Sequence, residues 1–93
     1  MATISITIYE PLRVDPDPAY VGKIAGDEVA WQHAQNMDFD VDFGGPGKGP
    51  FASYHFRKGD RTGPVRDNVP IGSQHKYSVT VGTEVLDPII IVR

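Results

Sequence analysis

Strict alternation of apolar and polar residues marks several short segments of this chain as half-buried strands. Thr3–Tyr9 places three isoleucines on one side and hydroxyl residues on the other, the period-two pattern of a strand with one buried face. Glu28–His33 and residues 38–43 alternate in the same way, and residues 75–81 direct every second side chain inward. Ile89–Val92 is apolar on both faces, which predicts a strand that is central or covered on both sides.

Glycine and proline divide these segments into many short pieces. The 93 residues include ten Gly and eight Pro, a density typical of short strands joined by turns. Residues 10–18, 44–50 and 57–72 predict connections, with one short strand near Val69. Residues 51–56 return to strand-like composition. We therefore predict one domain over residues 1–93, an all-β, antiparallel Greek-key β-sandwich of seven or eight strands.

The inward positions of these strands form the predicted core. Trp31 is the only tryptophan and is placed at the centre of the core, because it buries the most apolar area. Its indole N–H is expected to need a hydrogen-bond partner there. The other predicted core residues are Ile4, Ile6, Ile8, Val29, Phe39, Val41, Phe43, Tyr77, Val79, Val81, Ile89 and Ile91.

The order of these pieces resembles the cupredoxin-like fold. In that family a strand leads through a Gly-Asp turn into a Val-x-Trp strand, and residues 25–31 fit that pattern. An aromatic and β-branched strand follows, here residues 39–41, and then a later aromatic strand, here residues 73–79. The resemblance covers residues 19–93 and implies a cupredoxin-like sandwich.

The resemblance does not extend to the copper site that defines the active members of that family. A blue-copper site needs a thiolate together with imidazoles, and the chain has no Cys. By the resemblance, the first His should stand at Phe39 and the Cys near Val79, while residues 82–88 supply neither the later His nor the Met. We therefore expect a cupredoxin-like domain lacking the type 1 copper ligands, without electron transfer.

The charge balance and the shortness of the apolar runs limit the partners. Nine basic and twelve acidic residues give a net charge of −3, whereas nucleic-acid binding needs a concentrated positive surface. The apolar run at residues 89–92 is too short to cross a bilayer, and residues 1–6 lack the basic start and long apolar stretch of a signal peptide. We expect a soluble chain with no nucleic-acid or membrane partner and the cytoplasm as its default location.

Three histidines offer an alternative function. His33, His55 and His75 lie on separate segments that a sandwich would be able to bring together around copper or zinc. Their spacing contains no HxH or HxxxH pair, so ordinary surface or half-buried histidines are the favoured interpretation. We predict no metal site and no cofactor, and keep a divergent metal-binding protein with histidine ligands as the alternative.

A long basic loop is the candidate interaction surface, because loops on rigid sandwiches often carry binding. Its residues are Arg57, Lys58, Arg61 and Arg66. A solvated loop is the favoured interpretation of this cluster, since exposed ion pairs contribute little. The alternative is that these residues meet an acidic protein partner, or the outward Asp38, Asp40 and Asp42 of a neighbouring copy. Since no catalytic constellation is recognisable, we predict a non-catalytic binding or assembly module rather than an enzyme, with homo-oligomer formation adding buried surface.

Overall fold

Ten β-strands make up the regular structure of residues 2–93, the part of the chain that this computed structural model describes. The all-β prediction is confirmed, and these residues include no helix long and apolar enough to cross a membrane. In chain order the strands are β1 Thr3–Tyr9, β2 Arg13–Asp15, β3 Ala19–Val21, β4 Glu28–His33, β5 Asp40–Asp42, β6 His55–Arg57, β7 Gln74–Lys76, β8 Ser78–Val81, β9 Glu84–Leu86 and β10 Ile89–Val92.

The two longest strands lie side by side in a sheet of order β2-β1-β4. Strands β1 and β4 begin and end where the alternation predicts, because their β-branched and apolar residues favour a pleated, half-buried surface. They run parallel, with Ile6 opposite Trp31 and Ile8 opposite His33. All four of these side chains are buried, so this sheet supplies one wall of the core.

The remaining strands form sheets of order β3-β10-β7 and β6-β5-β8-β9, which share one interrupted hairpin. Strands β7 and β8 pair with β10 and β9 in a single unbroken register on both sides of Tyr77. Tyr77 lies opposite Pro88 and donates its backbone N–H to the Pro88 carbonyl oxygen at 3.0 Å. Pro88 has no N–H to return, so the ladder breaks at this pair and the strand predicted over residues 75–81 becomes two.

Strand number and pairing differ from the prediction. There are ten strands instead of seven or eight, because alternation does not reveal the short strands β2 and β9 and because the strand predicted over residues 75–81 is divided into β7 and β8. The pairing is not purely antiparallel, since β1 with β4 and β3 with β10 run parallel. Strand β6 begins at His55, within the segment predicted at residues 51–56, and Val69 lies in a turn instead of a strand. Pairing partners depend on distant segments, which local periodicity does not encode.

Aromatic side chains fill the centre of the core. Trp31 is 2% exposed and packs edge-on against Tyr77, with ring centroids 5.2 Å apart. Phe43 packs against Tyr77, Phe51 and Phe56 at 5.3 to 6.2 Å. The central position predicted for Trp31 is confirmed, but its indole nitrogen has no hydrogen-bond partner among residues 2–93.

The last strand faces the core with the opposite set of side chains from the predicted one. Ile90 and Val92 are fully buried, whereas Ile89 and Ile91 are only half-buried. Four consecutive apolar residues contain no alternation, so the sequence does not distinguish their two faces. The central position predicted for this strand is confirmed, because β10 lies between β3 and β7. Ile4 is partly buried, and the remaining predicted core residues are buried.

Candidate functional site

The outer face of the β6-β5-β8-β9 sheet carries a row of side chains that register places directly opposite one another. Arg57, Asp40, Thr80 and Val85 form this row across the four strands. Because neighbouring residues of a strand point to opposite faces, the next row points into the core. The buried members of that inner row are Phe56, Val41 and Val79.

Two ion pairs and one histidine–carboxylate contact lie at the end of the sheet where β6 ends and β5 begins. Arg57 Nε is 3.6 Å from Asp40 Oδ1, and His55 Nε2 is 3.0 Å from the same oxygen. Lys58 Nζ is 3.4 Å from Asp38 Oδ1. The side chains of Asp38 and Arg57 are 97% and 74% exposed, so these charges face solvent.

These four charged residues line an open concavity of about 550 Å³. Phe39, Thr80 and Gly82 complete its lining, and Gly82 belongs to the turn that joins β8 to β9. We call this concavity the charged groove and define it by Asp38, Asp40, Arg57 and Lys58. It presents two carboxylates and two cations within one small area.

Arg61 and Arg66, the other two residues of the predicted surface, have partners outside the charged groove. Arg61 Nη1 lies 3.3 Å from Oε2 of Glu28, which is on the edge strand β4 of the β2-β1-β4 sheet. The half-buried Arg66 guanidinium donates to the carbonyl oxygens of Gly47 and Gly49 and holds the glycine-rich loop. The structure therefore brings two of the four predicted residues together.

The acidic residues that meet Arg57 and Lys58 come from the same chain. The prediction that this aspartate row faces outward is confirmed for Asp38 and Asp40, which are exposed. Asp42 is half-buried, and its Oδ1 accepts the backbone N–H of Gly44 at 2.6 Å, so it caps a turn.

The three histidines lie in three different sheets: His33 in β4, His55 in β6 and His75 in β7. His33 Nε2 is 3.3 Å from Glu10 Oε1, and His75 Nε2 is 2.8 Å from Ser73 Oγ. Within the described part of the chain, no three His, Asp or Glu side chains are grouped as metal ligands. Among the described residues, no cluster of ligands therefore supports the alternative function, a metal-binding protein with histidine ligands.

Among residues 2–93, two titratable groups have shifted pKa values, and neither group lines the charged groove. Burial lowers the pKa of His75, and the positive charge of Arg66 adds to this effect. Burial raises the pKa of Tyr77 far above that of an ordinary tyrosine, and the negative charge of Asp17 raises it further. The Tyr77 hydroxyl has no hydrogen-bond partner among residues 2–93.

The fold and the charged groove together describe a small all-β structure with a concavity of mixed charge on one sheet face. Comparison of the chain with protein-family models, curated proteins and solved structures gives no match.

Sequence reasoning did not identify Thr80 and Gly82 as part of the site. Both enter the charged groove through the pairing of β8 with β5, which joins segments far apart in the chain. The alternation of the aspartates is a signal for the acidic side of the charged groove. No local pattern identifies β8 as the strand that pairs with β5.

Proposed function

We propose that this chain is a non-catalytic binding or assembly module with a cupredoxin-like Greek-key sandwich and no type 1 copper site. The observation that carries the proposal is the charged groove, an open concavity with exposed charges of both signs on a regular sheet face.

Two features of the strand pairing support the sandwich. Residues 13–21 change sheets, since β2 pairs with β1 whereas β3 pairs with β10, and Pro16 and Pro18 lie between them. Strands that switch sheets at a bend form the corners of sandwiches. The unbroken register of the interrupted hairpin favours treating the β3-β10-β7 and β6-β5-β8-β9 sheets as one layer facing the β2-β1-β4 sheet.

The positions where the family resemblance places copper ligands support a module without that metal. Phe39 and Val79 stand at two of these positions, and both are buried apolar side chains of the core. A thiolate ligand has no source in a sequence without cysteine.

The character of the charged groove favours binding over catalysis. Catalytic groups work best when they are preorganised in sites that exclude water, whereas the charged side chains here are exposed and Arg57 and Lys58 lie 3.6 and 3.4 Å from their carboxylate partners. Groups with shifted pKa values often mark active sites, and His75 and Tyr77, whose pKa values are shifted, lie outside the groove.

Quantitative affinity capture tests the proposal. Three tagged baits are compared in extract from cells that also express the untagged chain: the wild type, Arg57→Glu/Lys58→Glu, and the control Arg61→Glu/Lys76→Glu. The control carries the same charge change at exposed positions outside the groove. We expect binding partners, including untagged copies of this chain, to be retained by the wild type and the control and lost by the groove variant. Equal recovery with all three baits would contradict the proposal.

A further inference from the structure

We propose that the partner of the charged groove is a second copy of this chain, docked groove to groove about a two-fold axis. The inference rests on the proposed function, because it names the partner of the same site. It follows from the charge pattern of the groove, the weakness of its internal ion pairs and the surface beside it.

The charge pattern of the groove is balanced, with carboxylates on β5 and the residues before it and cations at the end of β6. A uniformly acidic or basic partner would meet like charge on half of this surface, which disfavours it. A two-fold axis places the same patch on both partners, so residue i of one copy contacts residue j of the other and the reverse. A patch with adjacent positive and negative halves is therefore complementary to itself.

The internal ion pairs of the groove are long and exposed, although Asp40 Oδ1 also lies 3.0 Å from His55 Nε2 and Lys58 Nζ also donates to the Asn36 carbonyl oxygen at 3.1 Å. The pairs Arg57–Asp40 and Lys58–Asp38 are 3.6 and 3.4 Å long, and three of their four side chains are more than half exposed. Exposed pairs of this kind contribute little to stability, so their charges are available to a second molecule. Across a closed interface each charge would gain an opposite partner in a less hydrated setting.

The surface beside the groove suits contact with another sheet face. Thr80 is half-buried and Gly82 has no side chain, so no large side chain projects from the sheet at that end. Val85 lies next to Thr80 in the outer row and is 59% exposed. Burying this side chain against a second copy adds an apolar contact to the exchange of charges.

Two complementary variants test the inference. Asp38→Lys/Asp40→Lys makes the groove wholly basic, and Arg57→Glu/Lys58→Glu makes it wholly acidic. Light scattering and sedimentation equilibrium across micromolar to millimolar concentration should show that the wild type self-associates and that salt weakens the association. Each variant alone should associate at least about tenfold more weakly than the wild type, because like charges then face each other. An equimolar mixture of the two should recover at least about tenfold, which also shows that both variants are folded.

The matched control is Arg61→Glu/Lys76→Glu, which should self-associate like the wild type. A wild type that stays monomeric over the whole range, a mixture that shows no recovery, or a control as weak as the acidic groove variant would each overturn the inference. If the wild type is monomeric but its groove variant still loses partners in the capture experiment, only the second copy is excluded as the partner and the charged groove remains a binding surface. Equal capture by all baits would remove the binding module itself.

Discussion

Replacing Tyr77 by Phe removes a hydroxyl that the fold buries without a partner. Tyr77 is 1% exposed, its ring packs against Trp31 and Phe43, and its hydroxyl oxygen has no hydrogen bond among residues 2–93. An unsatisfied buried hydroxyl costs about 1–3 kcal/mol relative to a hydrated one. Phe keeps the ring and its contacts and loses only the oxygen, which leaves a small space behind.

We therefore expect Tyr77→Phe to raise the free energy of unfolding by about 1 kcal/mol at pH 7, allowing for that space. In a domain of this size such a change raises Tm by roughly 4–8 °C. Urea denaturation followed by Trp31 fluorescence measures the free energy, and scanning calorimetry measures Tm. Tyr20→Phe, which removes an exposed hydroxyl, is the control and should change stability by less than about 0.5 kcal/mol.

The same variant should change how stability depends on alkaline pH. Because folding raises the pKa of Tyr77, the folded chain keeps this proton above pH 10, whereas the unfolded chain releases it. The folded state then binds more protons, so stability falls as pH rises, by about 1.4 kcal/mol per pH unit for one group. Tyr77→Phe should remove that part of the slope. A variant that is destabilised by about 1 kcal/mol or more at pH 7 would refute the reasoning, since the hydroxyl must then have a favourable partner.

Two further substitutions test the packing of the glycine-rich loop and the protonation of a half-buried histidine. Gly49→Ala should lower the free energy of unfolding by about 2–4 kcal/mol, because Gly49 has φ +77° and a Cβ would lie 2.5 Å from the Phe43 ring. The control in urea denaturation is Gly59→Ala, where φ is +87° and nothing lies within 4 Å of a Cβ. An equal loss of stability in both variants would refute the contact with Phe43. His75→Gln should reduce the loss of stability as the pH falls below 6.5. The pKa of His75 is lowered in the folded chain, so the unfolded chain binds a proton on this side chain more readily and gains stability from it. Acid denaturation that is unchanged in the variant would contradict this prediction.

Local pattern was sufficient for those parts of the fold that alternation describes. Strands β1 and β4 follow directly from the spacing of Ile6, Val29 and Trp31, and the burial of these residues follows from it as well. Strand β10 shows where local pattern is not sufficient, because four consecutive apolar residues identify a central strand but not its inward face. The parallel neighbours of β1 and β10 depend on distant segments, so no local signal specifies them.

The candidate site was predictable to a similar extent. Arg57 and Lys58 stand out in the sequence as part of a basic cluster, and the outward Asp38 and Asp40 stand out by alternation. Their meeting in one groove depends on the pairing of β5 with β6, which brings together residues separated by the glycine-rich loop. Arg66 lies outside the groove because its guanidinium donates to the carbonyl oxygens of Gly47 and Gly49 in that loop, a contact that no local pattern specifies.

The core and the charged groove depend on the same strand register. Tyr77, Val79 and Val81 point inward, so the intervening Thr80 must point outward beside Asp40. The break at Pro88 removes one hydrogen bond but leaves the pairing on both sides in step. A slip of one residue would expose Val79 and Val81 and bring Thr80 into the core, which would be strongly unfavourable. A groove variant in which Trp31 remains buried therefore also retains the outer row of side chains. Its loss of association then reports on the change of charge and not on altered structure.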